Sequence, residues 1–140
     1  MLWEEIRGVL KGSLIINENR PKAKLTLKEY MELPNDQRIF QDDLEDIYNL
    51  FEKYEKYKEN NNYWDDMDLA FNALKNLSKI KIKKYDQVVV DEIQDLSSLH
   101  LRILCHFVGS PDGLFMSGDE QQIIYPTRFQ WERTKDLIYQ

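Results

Sequence analysis

The feature that most constrains the fold is a pair of short apolar runs with a helical pattern between them. The first run, Val88–Val90, is wholly β-branched, and the second is Leu114–Met116. A continuous β-branched run is typical of a strand buried on both faces of a parallel sheet. Between the runs, helical spacing connects Leu96, Leu99, Ile103, Leu104 and Phe107, with Ser97 and Ser98 as capping candidates. The order predicts a βαβ unit with a right-handed crossover, and therefore an α/β fold.

Acidic residues follow both predicted strands. Asp91 and Glu92 come directly after the first strand, and Gly118 and Asp119 follow the second. Ligands bind at the carboxyl ends of strands in open parallel sheets. A nucleoside triphosphate site needs one carboxylate to hold Mg²⁺ and a second to orient the attacking water. Strand ends are commonly polar, so a purely structural role for these acids remains open at this point.

The residues before this unit are predicted to be mainly helical. A short amphipathic helix is expected over residues 2–11, with Gly12 as its stop. Thr26 stands three residues before Glu29, the spacing of a capping box, and Pro34 ends the helix that this box begins.

Two longer helices are predicted next. The first runs from residue 36 to about residue 59, and its apolar stripe is Leu44, Ile47, Tyr48, Phe51, Tyr54 and Tyr57. That stripe is compatible with base stacking, but packing against neighbouring helices is the favoured interpretation. The second begins at three acids, Asp65, Asp66 and Asp68, and buries Met67, Ala70, Phe71, Leu74 and Leu77. We interpret the acids as capping and helix-dipole residues rather than metal ligands.

Composition excludes several classes of protein. The chain has 140 residues, 42% of them hydrophobic and 31% charged, which is typical of one soluble domain. Its one cysteine, Cys105, excludes an internal disulfide and, with two histidines, leaves no zinc cluster unless carboxylates take part. No apolar run approaches the roughly 20 residues that span a bilayer, so we expect a cytoplasmic protein without membrane contact.

Charge limits the contacts with nucleic acid. The formal net charge of −6 argues against a free-standing nucleic-acid binder, so any such contact should be local. The one basic cluster runs from Lys79 to Lys84. A charged approach to the strand is the favoured interpretation of that cluster, and a phosphate contact is the alternative.

Two motifs carry a resemblance to a known family. Residues 91–96, Asp-Glu-Ile-Gln-Asp-Leu after two valines, resemble the Walker B motif, or motif II, of UvrD/Rep-type superfamily I helicases. Residues 117–125, Ser-Gly-Asp-Glu-Gln-Gln-Ile-Ile-Tyr, resemble motif III of that family. The resemblance covers residues 85–131. It implies that residues 81–140 are part of a RecA-like P-loop NTPase domain, and that residues 1–80 are a helical accessory segment inserted in that motor domain.

The resemblance also implies roles for individual residues. Asp91 would hold Mg²⁺, Glu92 would polarise the attacking water, and Gln122 would approach the γ-phosphate of ATP. The residues implied to couple the nucleotide site to DNA are Gln94, Asp95, Gly118, Asp119 and Tyr125, and those implied to contact DNA are Arg128, Phe129 and Trp131. Thr127 stands where the family usually has a base-stacking aromatic, so Phe129 or Trp131 would supply that face, and a core position for either remains open.

A phosphate-binding loop of the form Gly-x-x-x-x-Gly-Lys-Ser/Thr does not occur in the sequence. We therefore expect an ATP-dependent DNA helicase or translocase that is completed by the remainder of a longer chain, with the isolated chain inactive. The implied partners are ATP, Mg²⁺ and single-stranded DNA. The alternative is a non-catalytic, helicase-derived protein interaction module. Because a two-stranded sheet leaves both edges open, we also expect marginal stability or self-association.

Overall fold

The computed structural model describes residues 1–12, 22–77, 79–119, 134, 135 and 138. Five helices and two strands follow one another in these ranges. They are α1 (Leu2–Glu4, continued by a π-helical segment, Glu5–Leu10), α2 (Leu27–Glu32), α3 (Leu44–Asn61), α4 (Asp66–Leu77), β1 (Val88–Val90), α5 (Ser98–Cys105) and β2 (Leu114–Met116). Short 3-10 turns lie at Asn35–Gln37, Ile93–Asp95 and Pro111–Gly113. The fold is thus mainly helical with one small parallel sheet, which is compatible with part of an α/β domain.

Residues predicted from the sequence mark the end of the first helical stretch and the start of α2. The helical stretch that starts at Leu2 stops before Gly12, where a Cβ atom would lie 2.3 Å from the Arg7 carbonyl oxygen. At the start of α2, the Thr26 hydroxyl accepts from the Glu29 backbone N–H at 3.3 Å, and the Glu29 carboxylate accepts from the Thr26 N–H at 2.7 Å. The predicted capping box is therefore confirmed.

The prediction of a continuous helix from residue 36 was wrong at its beginning. Helix α3 starts only at Leu44, directly after Asp43, whose φ of 55° lies in the left-handed region. The stretch before it is held in an irregular path by Arg38, whose guanidinium donates to the Asn35 side-chain oxygen at 2.5 Å and to the Met31 carbonyl at 3.3 Å. These contacts give the Met31 carbonyl and the Asn35 side chain a hydrogen-bond donor outside a regular helix. A helix that began at residue 36 would require a different set of hydrogen bonds.

Helices α1, α2 and α3 share one hydrophobic core. Its buried members are Ile6, Val9, Leu10, Tyr30, Tyr48 and Phe51. Tyr48 and Phe51 lie on the predicted stripe of α3, so the packing interpretation is confirmed for the middle of that stripe, whereas Tyr57 near its end is exposed. The helix ends at Asn61, and the next residue, Asn62, has a left-handed φ of 55°, a conformation that Asn often adopts after a helix.

A second core joins α4 to α5. Its buried members are Met67, Ala70, Leu74 and Leu99, with Phe71 and Ile103 packed against them. Helix α5 begins where the sequence predicts, because the Ser97 hydroxyl accepts from the His100 backbone N–H at 3.4 Å.

The two strands are parallel, in the register that pairs Val89 with Phe115, and α5 connects them. One face of this sheet packs with α5 in a core that includes Val90, Ile93 and Leu101. The other face is open, since Val89 is 77% exposed and Phe115 is 52% exposed. The prediction that the valine run is buried on both faces was therefore wrong, because packing against α5 accounts for one face alone.

Among the described helices, none combines the length and the apolar character that a membrane crossing requires.

Candidate functional site at the ends of the strands

The residues that leave β1 and β2 are held together by a short ladder of hydrogen bonds. Parallel pairing brings both carboxyl ends to one edge of the sheet. There the Ser117 N–H donates to the Val90 carbonyl at 2.9 Å, and the Ile93 N–H donates to the Ser117 carbonyl at 3.0 Å. The Ser117 hydroxyl also donates to the Asp91 carboxylate at 2.5 Å. The two sequence motifs are therefore adjacent in space.

Asp91 is an exposed carboxylate whose position is fixed by two donors. The pKa of Asp91 is lowered from its ordinary value, first by the hydrogen bond from the Ser117 hydroxyl and then by that from the Glu92 backbone N–H, 3.0 Å away. The side chain is therefore ionised at neutral pH. Ionised carboxylate oxygens are the ligands that Mg²⁺ prefers, so the chemistry of this residue fits a magnesium ion.

Glu92 has a backbone conformation that is uncommon for a residue other than glycine. Its φ of 52° lies in the left-handed region and turns the chain sharply into the 3-10 turn Ile93–Asp95. Such conformations carry a cost of order 1 to 3 kcal/mol and are concentrated at functional sites. The exposed Glu92 carboxylate accepts a hydrogen bond from the Gln94 side-chain amide at 2.5 Å.

Gln94 connects the two halves of the site from a buried position. The side chain is 2% exposed. While its amide nitrogen donates to Glu92, its oxygen accepts from the backbone N–H of Asp119 at 3.2 Å. One side chain thus contacts both the carboxylate after β1 and the backbone after β2. The coupling role implied for Gln94 has a physical contact here, although the role itself stays a prediction.

Gly118 leaves the space that Gln94 occupies. A Cβ atom at this position would lie 2.4 Å from the Gln94 side-chain oxygen and 2.7 Å from the Ile93 Cγ2 atom. A side chain at position 118 would displace the Gln94 side chain that connects Glu92 to Asp119. Glycine is therefore required here because Gln94 and Ile93 lie so close to its Cα atom, and not because of its backbone angles.

The other residues predicted for the site are Asp95, which the structure describes, and five residues that lie outside the described ranges. One Asp95 carboxylate oxygen is buried and, among the described residues, has no hydrogen-bond partner. Five predicted residues, Gln122, Tyr125, Arg128, Phe129 and Trp131, lie outside the described ranges, so their roles stay predictions. The site also contains one residue that the sequence analysis did not assign, Ser117. The signal for it was present, since it directly follows β2 as Asp91 follows β1.

A second group of carboxylates lies between the helices and is occupied by lysines. Glu55, Asp65 and Asp68 have oxygens within 4.8 Å of one another, a spacing that a metal ion could bridge. However, the Lys58 ammonium lies 2.7, 2.8 and 2.5 Å from these three carboxylates, and Lys11 contacts the same three. The backbone N–H groups of Asp65 and Asp68 also donate reciprocally to each other's carboxylates. The capping interpretation of these aspartates is therefore confirmed.

Comparison with known proteins identifies the class. The family model of the UvrD/REP helicase N-terminal domain matches residues 13–130. The chain therefore belongs to that family, and the resemblance seen in motifs II and III is confirmed. No solved structure gives a significant match.

Among curated relatives, human TPR and ankyrin repeat-containing protein 1 is 31% identical over 147 aligned positions, which cover 99% of this chain and 5% of that protein. An ATP-dependent helicase/nuclease subunit from Carboxydothermus hydrogenoformans is 36% identical over 90 positions, covering 61% of this chain and 8% of the relative. The helicase/nuclease subunit of the same name from Natranaerobius thermophilus is 36% identical over 92 positions, covering 59% and 7%. The chain thus spans less than a tenth of the length of each of these relatives.

Proposed function

We propose that this chain supplies the magnesium- and water-handling half of the ATP site in a UvrD-type DNA helicase or translocase. In this proposal, residues 81–140 are part of a RecA-like ATPase domain, and residues 1–80 are a helical accessory segment of the same motor. The observation that carries the proposal is the junction at the sheet edge, where Asp91 contacts Ser117 directly and Glu92 is connected to Asp119 through the Gln94 side chain. Membership of the helicase family supports it.

The two acids after β1 have different tasks. Asp91, held ionised by its donors, would be the ligand of Mg²⁺, and this ion when bound supplies the positive charge that neutralises the phosphate oxygens of ATP. Glu92 would accept a proton from, or orient, the attacking water. Its left-handed backbone turn directs the chain away from the strand, so the two adjacent carboxylates can serve two different groups.

Residues after β2 would respond to the state of the nucleotide. We propose that Gln94, Asp95, Gly118 and Asp119 transmit a change at Glu92 to the segment that follows β2, since Gln94 contacts both sides. Gln122 would approach the γ-phosphate, and Tyr125 would carry the signal to the single-stranded DNA that Arg128, Phe129 and Trp131 contact.

The chain by itself should not hydrolyse ATP. Backbone amides and the lysine of a phosphate-binding loop form the cradle for the β- and γ-phosphates, and the sequence contains no such loop. That loop would come from another segment of the motor, and the proposal is tested by supplying it.

The experiment measures binding of a fluorescent ATP analogue, with Mg²⁺, to this chain mixed with a helicase segment that carries a phosphate-binding loop. We expect binding that Asp91→Asn weakens at least tenfold and that Asp112→Asn, which alters an exposed acid in the Pro111–Gly113 turn, leaves unchanged. Equal effects of the two substitutions would contradict the magnesium role. Robust ATP hydrolysis by the chain alone, abolished by Glu92→Gln, would contradict the division of the site.

A second candidate function is a non-catalytic interaction module derived from a helicase. The relative that matches 99% of the chain favours it, because that protein is named for its TPR and ankyrin repeats rather than for an activity. Such repeats stack into extended binding surfaces. Failure of well-folded segments to restore Mg-ATP binding, together with a stable complex between this chain and a protein partner, would favour the module over the motor.

A further inference from the structure

A basic segment precedes β1 and has no task in the nucleotide site. Residues 79–84, Lys-Ile-Lys-Ile-Lys-Lys, contain four of the chain's 19 basic side chains and none of its 25 acids. We propose that this segment, together with Tyr85, binds single-stranded nucleic acid, with the lysines on phosphates and the tyrosine ring on a base. The choice of nucleic acid as partner rests on the proposed helicase function.

The lysines of this segment are available for a ligand. Elsewhere in the described structure, lysines such as Lys11, Lys24 and Lys58 pair with carboxylates at 3.3 Å or less. In contrast, Lys81, Lys83 and Lys84 are exposed, and within the described ranges none of them has a carboxylate at ion-pair distance. A run of unneutralised ammonium groups in a chain of net charge −6 creates a local positive potential that attracts a polyanion.

Tyr85 adds an aromatic face on a fixed backbone. Its N–H donates to the Phe107 carbonyl at 2.8 Å, and its carbonyl accepts from the Gly109 N–H at 2.9 Å. The ring itself is 52% exposed, with the Lys83 ammonium 5.9 Å from its centroid. Single-stranded nucleic acid offers a phosphate and a base face in every nucleotide, whereas a run of acidic side chains offers carboxylates without an aromatic face. The pairing of an exposed ring with unpaired lysines therefore favours nucleic acid.

This surface lies at the opposite end of β1 from the candidate nucleotide site. Asp91 comes six positions after Tyr85, and at about 3.3 Å per extended residue the two ends lie up to about 20 Å apart. A strand bound at the basic segment would thus not compete with ATP, and its binding requires neither nucleotide nor metal.

The experiment measures fluorescence anisotropy of a labelled 20-nucleotide oligo-dT with the 140-residue chain, in EDTA and over a range of salt concentrations. The test variant is Lys81→Gln/Lys83→Gln/Lys84→Gln, and the matched control is Lys28→Gln/Lys53→Gln/Lys56→Gln, which alters three other exposed lysines. Both variants lose three positive charges, so a difference in their affinity for oligo-dT cannot result from net charge alone. We expect the test variant to bind at least about tenfold more weakly, with a salt slope reduced by about 2, and the control to change less than about threefold.

The tyrosine is tested separately, with circular dichroism as the check that each variant is folded. Tyr85→Ala should weaken binding by about tenfold through loss of base stacking, Tyr85→Phe should leave it unchanged, and the exposed Tyr57 serves as the control for alanine substitution. Absence of oligo-dT binding by the unaltered chain, equal losses in both lysine variants, or equally effective competition by polyglutamate would overturn the proposal. Because EDTA removes Mg²⁺ and no ATP is present, such a failure would not bear on the proposed ATP site, which is tested by the nucleotide-binding experiment described above.

Discussion

The buried ionic cluster between the helices allows a quantitative prediction for Lys11→Met. The Lys11 side chain is 1% exposed, and its ammonium lies 2.7 Å from Asp65, 2.5 Å from Asp68 and 3.3 Å from Glu55. Lys58 contacts the same carboxylates. Removal of Lys11 leaves Asp65 and Asp68 with Lys58 as their one lysine partner among the described residues, while Glu55 keeps Lys58 and Lys24. The methionine still fills most of the space of the lysine stem.

The magnitude follows from the burial of the partners. Breaking a buried ion pair by removing one member costs about 3 to 5 kcal/mol, because the remaining charge is desolvated without compensation. Asp65 is 8% exposed but Asp68 is 25% exposed, so water can relieve part of the cost, and we take the lower end, about 3 kcal/mol. For a chain of this size that corresponds to a fall in Tm of about 10 °C.

The assay is urea unfolding followed by circular dichroism at 222 nm. The matched control is Lys28→Met, since the Lys28 to Glu32 pair is 3.8 Å apart with side chains 83% and 65% exposed. An exposed pair of this kind contributes about 0.5 kcal/mol or less. If Lys11→Met and Lys28→Met lower the free energy of unfolding equally, the cluster does not stabilise the helical segment and the reasoning fails.

Stability should also respond to pH, to Gly118 and to the open sheet face. Burial raises the pKa values of Glu55, Asp65 and Asp68, but hydrogen bonds from the lysines outweigh it and lower them below the ordinary 4.5 for Glu and 3.8 for Asp. The stabilisation is therefore present above about pH 4.5 and is lost as the pH falls through the lowered values, so urea midpoints should drop between pH 5 and pH 2. Gly118→Ala should displace Gln94 and cost about 1 to 3 kcal/mol, measurable by the same unfolding assay, and a cost below that of an exposed Gly109→Ala control would contradict the close approach. Val89→Lys should reduce any self-association seen by sedimentation velocity, because it places a charge on the open sheet face; an unchanged sedimentation coefficient in an associating sample would exclude that face.

Local signals in the sequence predicted much of this fold. The capping box at Thr26 and the cap at Ser97 depend on residues three positions apart, so they can be read without knowledge of the tertiary structure. The two strands and the helix between them follow in the same way from local periodicity. What the pattern could not predict was the open face at Val89, because burial depends on which elements pack against a sheet.

The departures have tertiary causes. Helix α3 begins late, after Asp43 in the left-handed region and a stretch in which Arg38 contacts the Met31 carbonyl, and no periodicity encodes either feature. One of the two lysines that pair with Glu55, Asp65 and Asp68 is Lys11, which is more than 40 residues away from them in the sequence. No local pattern therefore indicates these ion pairs. In the candidate site, the strand-end argument located Asp91 and Asp119, whereas the bridge through Gln94 required the actual geometry.

The measurement that tests the central claim most directly is steady-state ATP hydrolysis by the complete motor that we propose, with Glu92→Gln compared with Glu59→Gln. Both substitutions remove one exposed carboxylate, but Glu59 lies near the end of α3, away from the sheet edge. We expect Glu92→Gln to lower kcat by about a hundredfold or more while Mg-ATP binding changes less than about threefold, and Glu59→Gln to leave both unchanged. Hydrolysis that survives Glu92→Gln at the unaltered rate would contradict the account.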